Sequence, residues 1–454
     1  MTNEWKGVFE QMKSSNFTTK MERNLVRTLR YIVPVTAIAA LAACSSSGDP
    51  KPAAQKEEER APVTMKIGVK KGGYLTDEEF KRFIADPVKK KYPYLTAERI
   101  DYDDKLIPEM LASNSVPDII ITNNVNGIPA ISEAKLLKPL TEGLKTNGID
   151  LARFEPQPLE AMKAAAQSAD LVAIPYTRSF SALYYNKDIF DKFAVPYPKD
   201  GMTWQEATDL GKRLTRMDGT TQYRGLEPNV PERMAMQLSL PFVDTKTNRA
   251  IVNNELWKKV LVQAAEIYKI PGNEKYAWKT AGINAFTKDR TLAMLADVNI
   301  ITTARLGELT DLNWDFAAYP TFPEAPGKGM GADLHIMVPT STSKYPDEAF
   351  RVISAVISDE VQLDMAKQGR SSILKDDKFK TAFGQDLPFL KGKNIAAAFK
   401  TTTADPYQPS LHDTAAMTVI QAELRNMFQK GKDVNSALRD AEEKINSDIA
   451  AKGK

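Results

Sequence analysis

Hydrophobic and polar positions alternate along VTMKIGV (63–69), the two-residue period of a strand with one face buried. The segment that follows, LTDEEFKRFIADPVKKKYP, sets Phe80, Phe83 and Ile84 on one helical face. After Pro117, DIIIT (118–122) is a short run rich in β-branched residues, the pattern of a strand covered on both faces. IPAISEAKLLKPL returns to helical spacing, and LVAIPYTRSFSALYYNKDIFDKFAV from Leu171 reads as strand, turn, strand and helix. Thr203 and Glu206 form a capping box that predicts a helix with Ala207, Leu210 and Leu214 inward, ending near Arg216. NWDFAAYP (313–320) and ADLHIMV (332–338) predict strands around the connection TFPEAPGKGMG, and Pro346 fits the first position of a helix. Two helices close the chain. Ile420, Leu424, Met427 and Phe428 share a face of the first, and Val434, Leu438, Ala441, Ile445 and Ile449 share a face of the second. Alternation of this kind predicts an α/β protein with open, mainly parallel sheets.

Upstream of Val63 the pattern changes. YIVPVTAIAALAA (31–43) is apolar, follows Arg23, Arg27 and Arg30, and is too short to cross a bilayer as a helix, which needs about 20 residues. Residues 1–43 therefore read as an export signal region, and translation from Met21 would give it a conventional length. Leu41-Ala42-Ala43-Cys44 resembles the lipobox of bacterial lipoproteins, which implies acylation of Cys44, the one cysteine of the chain. The small, polar and charged stretch to residue 62 cannot bury apolar area and reads as a flexible tether.

Composition narrows the remaining chemistry. The net charge of +3 over 454 residues leaves no basic footprint for nucleic acid. One cysteine excludes an internal disulfide framework, and two distant histidines, His335 and His412, show no metal-ligand spacing. KKGGY (70–74) is followed by no Gly-Lys-Ser/Thr, so it is no phosphate-cradling loop. No nucleophile motif or nucleotide fingerprint appears, so an enzyme is not expected, and no cofactor is implied.

The body resembles the extracellular solute-binding proteins of ABC importers, in their carbohydrate-binding, maltose-binding-protein-like group. The resemblance rests on IPYTRSFSALYYNKDIFDKF…PKDGMTWQEATDLGKRLT (174–215), SVPDIII…AKLLKPL (115–140), FTKDRTLAML (286–295) and NWDFAAYPTFP (313–323), in register. It implies a two-lobe periplasmic-binding-protein-like fold, with the chain crossing near 174–178, 295–299 and 331–336. The first lobe would hold 63–174 plus 298–331, and the second 178–295 plus 336–450. It further implies a lipid-anchored monomer outside the cytoplasmic membrane that carries a small solute, a sugar, to the permease subunits of an ABC transporter. The alternatives are a peptide, polyamine or metal complex in the same fold, or presentation of a solute to a membrane sensor.

Ligand contacts are expected from loops at strand ends. Lys71 and Tyr74 follow the opening strand, and Asn123, Asn124 and Asn126 follow the buried one, where the family's aromatic and charged groups are absent. Tyr176 and Arg178 sit at the first crossing, Glu227 in a Glu-Pro pair, Asp297 at the second crossing, and Asp333 and Tyr407 farther on. Carboxylates, amides and Arg suit sugar hydroxyls because they form planar hydrogen bonds. Trp204, Tyr184, Tyr185 and Trp314 are read as core, and His335 as a buried hydrogen-bonding group.

Overall fold

The computed structural model describes residues 60–71, 74–275, 278–301 and 306–452, so the signal region, Cys44 and most of the tether lie outside the described residues. Strands run in order β1 (Val63–Lys70), β2 (Leu95–Tyr102), β3 (Ile119–Asn123), β4 (Ile174–Arg178), β5 (Ser181–Asn186), β6 (Arg216–Asp218) and β7 (Thr221–Glu227). They continue as β8 (Val243–Asp244), β9 (Arg249–Ala250), β10 (Leu292–Val298), β11 (Trp314–Ala318), β12 (Lys328–Gly331), β13 (Leu334–Pro339) and β14 (Thr402–Ala404).

Two five-stranded sheets organise the molecule, in the orders β2-β1-β3-β13-β4 and β11-β5-β10-β7-β6. In the first, β1 pairs in parallel with β2 and β3, whereas β13 is antiparallel to both β3 and β4. Helices cover both faces of this sheet, so Ile119, Ile120 and Ile121 are all buried, as a β-branched run in a parallel strand demands. In the second sheet every residue of β5 is buried. Its alternation sends Leu183 and Tyr185 into one apolar cluster and Ala182 and Tyr184 into another.

The chain passes between the sheets at 178–181, at 331–334 and at 382–383, where Ala382 packs in the first lobe's core and Phe383 in the second's. This differs from the expected division. Residues 295–299 do not cross, because β10 runs through the second sheet to Val298 and Ile300 packs beneath it. β11 pairs with β5, which puts 314–318 in the second lobe, and β13 with the helices Pro346–Val356 and Asp359–Lys367 belongs to the first. Strand character is local, but the choice of sheet depends on partners more than 100 residues away, which periodicity does not report.

Two local devices fix the second lobe around the site. The helix Trp204–Leu214, with the expected Thr203–Glu206 capping box, lies so close to β7 that a Cβ on Gly225 would stand 1.9 Å from the Gly211 carbonyl oxygen. Its Trp204 indole N–H donates to Gln237 Oε1 at 2.9 Å, and Gln237 Nε2 donates to the carbonyls of Pro320 and Lys328, so the buried amide is satisfied. At the end of β7, fully buried Glu227 accepts from Arg224 at 2.6 Å, from the Tyr268 hydroxyl and from the Asn229 backbone N–H at 3.2 Å. Those bonds hold Asn229 at a φ of +64°, a left-handed conformation that asparagine tolerates better than most residues.

Glu227 thus braces a loop from beneath. Glu227→Ala leaves the buried Arg224 without its carboxylate and is expected to destabilise the fold by about 3–5 kcal/mol. Urea unfolding monitored by tryptophan fluorescence measures it, and an unchanged midpoint would contradict the brace.

Candidate functional site

The C-terminal ends of β3 in one sheet and of β7 and β10 in the other border the gap between the lobes, where ligands gather in open α/β sheets. A cavity of about 340 Å³ opens there. Asn123, Val125 and Asn126 come from the loop after β3, and Asp333 from the second crossing. Asn229, Glu232, Arg233 and Met236 come from the loop after β7 and its helix Pro231–Gln237, Lys279 from the start of the helix Thr280–Thr287, and Asp297 from β10.

Charge is compensated inside this cavity. Arg233 donates to Asp333 at 3.2 Å, joining the second lobe to the crossing segment. Asp297 is 2% exposed; burial pushes its carboxyl up to about 6, against the pull of Arg233 and of the Val298 N–H, which donates to Oδ1 at 2.7 Å. Glu232 is also raised by burial, although Gln421 donates to its Oε1 at 2.6 Å. The apolar share of the lining is aliphatic or thioether, from Val125, Val230, Met236, Ile283, Val298 and Met417, with no aromatic ring among the described residues.

Of the residues singled out in the sequence, Asn123, Asn126, Asp297 and Asp333 line this one cavity. Asn126 also reaches across the gap, accepting from the Thr414 hydroxyl at 3.3 Å. Tyr74 stands behind them: its hydroxyl accepts from Asn123 Nδ2 and its ring lies 4.7 Å from that of His335. Burial pushes the Tyr74 hydroxyl up to about 12 and the His335 imidazole down to about 4, so both are neutral near pH 7.

The other expected contacts are placed elsewhere. Lys71 is exposed in the turn after β1, fixed through its backbone N–H to the Tyr102 carbonyl. Asn124 is buried and spends its amide on backbone, donating to the Ala332 carbonyl at 3.0 Å and accepting from the Leu334 N–H at 2.9 Å. Tyr176 is fully buried in the first core, because its position in β4 points it inward. Arg178 is the last residue of edge strand β4, 3.8 Å from Glu155, and Glu227 is the brace described above. Tyr407 lines an adjoining small cleft of about 20 Å³ with Asn124, Ala161 and Met236, the last of which also lines the main cavity.

Sequence reasoning passed over Arg233, Glu232, Asn229 and Lys279 as ligand candidates. A signal existed in LEPNVPERM (226–234): charged residues in the first turn of a helix that directly follows a strand end project into the space between lobes. Arg233 was missed because its partner, Asp333, is 100 residues away in sequence.

Comparison with known proteins agrees with this architecture. The sn-glycerol-3-phosphate-binding periplasmic protein UgpB of Salmonella typhimurium is 29% identical over 127 residues, which is 27% of this chain. The matched stretch spans only 28% of that relative's length. The sugar-binding protein MalE of Xanthomonas citri superposes with a TM-score of 0.65 at 17% identity, over 86% of this chain and 98% of that one. An ABC substrate-binding protein of Listeria monocytogenes in complex with cycloalternan gives 0.68 at 15% identity, over 86% and 99%. These likenesses share the two-lobe fold. Residues 85–380 match the sequence model of the bacterial extracellular solute-binding proteins, and the chain belongs to that family.

Proposed function

We propose that the protein captures a neutral carbohydrate between its lobes and delivers it to the permease of an ABC importer, held at the outer membrane face by lipid on Cys44. The observation that carries the ligand class is the charge balance of the cleft. Three carboxylates, Glu232, Asp297 and Asp333, face two cations, and Arg233 is already neutralised by Asp333. A phosphate dianion entering this cavity meets more negative than positive charge. Sugar hydroxyls, by contrast, can donate to the carboxylates and accept from Arg233 and the amides of Asn123 and Asn126. The related UgpB proteins are named for a phosphate ester and the superposed proteins for sugars, so sn-glycerol 3-phosphate is the second solute to try.

Binding here requires no catalysis: a solute that touches both lobes stabilises the arrangement in which both touch it. No helix among the described residues is long and apolar enough to cross a membrane, and anchoring is assigned to Cys44 on its sequence context.

The test is a thermal-shift screen of the purified chain against mono- and oligosaccharides, alditols, sn-glycerol 3-phosphate, peptides and polyamines. One saccharide class is expected to raise the melting temperature, corresponding to about 2.7 kcal/mol at 100 times its dissociation constant. A response to the phosphate ester alone would replace the carbohydrate. Asp297→Asn is expected to weaken binding of the responding saccharide by about 1.5–3 kcal/mol, since it removes a charged acceptor. Hydroxyl donors favour the ionised carboxylate, so binding below pH 6 must release the proton held by Asp297. Affinity should therefore rise with pH through about 6 in the wild type and rise less in Asp297→Asn, where Glu232 is the remaining raised carboxylate of the lining. Calorimetry at pH 5, 6 and 7 checks both. For the anchor, Cys44→Ser is expected to release a folded protein from membranes into the soluble fraction, and membrane retention of that variant would refute the lipid assignment.

A further inference from the structure

A second cavity, of about 190 Å³, shares no lining residue with the cleft. Sheet order keeps them apart. The cleft borders β3 and β13 in one sheet and β7 and β10 in the other, whereas this cavity lies at the β4–β5 junction, on the outer side of edge strand β4. Both lobes build it: Glu155, Arg178 and Lys380 from the first, Thr401 and Thr402 from the second.

The charged residues of its lining are two cations, Arg178 and Lys380, and one carboxylate, Glu155. Arg178 and Lys380 share Glu155, the one carboxylate in the lining, at 3.8 Å and 3.4 Å, and Lys380 also lies 3.5 Å from Asp377 outside the lining. Charge-assisted hydrogen bonds run about 2.7–2.9 Å, so none of these contacts is one. The remaining side-chain bond of Arg178, from Nε to Ser371 Oγ, is 3.5 Å long. The Arg178 side chain is 18% exposed, so water supplies little of what these partners withhold. Burial accordingly lowers the proton affinity of Arg178, the effect of a cation short of acceptors. The helix Pro156–Ala166 begins at this cavity and adds the positive end of its dipole.

We infer that this cavity binds a small oxyanion, a phosphate or a short dicarboxylate, held by Arg178 and Lys380 and by the hydroxyls of Thr401 and Thr402. A cavity of about 190 Å³ has room for such an ion beside these side chains. Because its walls belong to both lobes and to the first crossing segment, the bound anion stabilises the lobe arrangement that closes the cavity. By linkage, its occupancy and that of the cleft then influence each other equally. This site does not depend on which solute enters the cleft.

The test follows the melting temperature of the purified full chain in titrations with inorganic phosphate and with malonate, at constant ionic strength maintained with chloride. A saturable rise with one of these anions is expected, half-complete on the order of 1–10 mM, and the responding anion tells tetrahedral from carboxylate recognition. Lys380→Gln alters a side chain that is 40% exposed, so the fold is retained, and it should weaken the response at least tenfold. Arg178→Gln should do the same, while Arg233→Gln, in the cleft, should respond like the wild type. The inference is overturned if neither anion gives a saturable rise, if Lys380→Gln responds normally, or if Arg233→Gln alone loses the response. That last result would assign the anion to the cleft.

Discussion

The side-chain amide of Asn124 grips the backbone on both sides of Asp333, at the Ala332 carbonyl and the Leu334 N–H. The geometry of the cleft depends on this clamp. Asn124 continues from the end of β3, whose backbone is fixed by β1 on one side and β13 on the other. Residues 332–334 form a crossing between lobes, where the regular ladder gives out and the backbone has few partners. By satisfying that backbone from a buried position, Asn124 fixes where Asp333 emerges, and Asp333 in turn receives Arg233 from the second lobe. A buried amide that met no partner here would cost about 1–3 kcal/mol, so the clamp is specific as well as stabilising.

The second lobe presents its side of the cleft by a comparable device. Glu227 is saturated by Arg224, Tyr268 and Asn229, and this buried group sets the path of the loop that carries Glu232 and Arg233. Both lobes thus spend buried polar residues on backbone placement and leave other polar residues to line the cavity. Asp297 lies between the two roles. It borders the cavity, yet it is buried, and burial pushes its carboxyl up to about 6.

The fold was legible in the sequence to the extent that its signals are local. The alternation in VTMKIGV, the β-branched run at 119–121, the Thr203 capping box and the paired C-terminal helices all stand where the pattern put them. The assignment of β11 and β13 to sheets was not legible, because pairing is decided by distant partners. For the site, position at a strand end was informative and side-chain direction was not. Asn123 and Asn124 are neighbours in sequence, yet one lines the cavity and the other clamps the hinge, since successive residues at a strand end point to opposite sides. Tyr176 and Glu227 were singled out by residue type, and both are fully buried.

The central claim is that a solute is held between two lobes that close on it, and small-angle X-ray scattering of the full chain measures this most directly. With a saccharide that binds by calorimetry, the radius of gyration should fall on saturation and return when the sugar is dialysed away. Saturating binding with an unchanged radius of gyration would contradict closure and leave the cleft a static pocket.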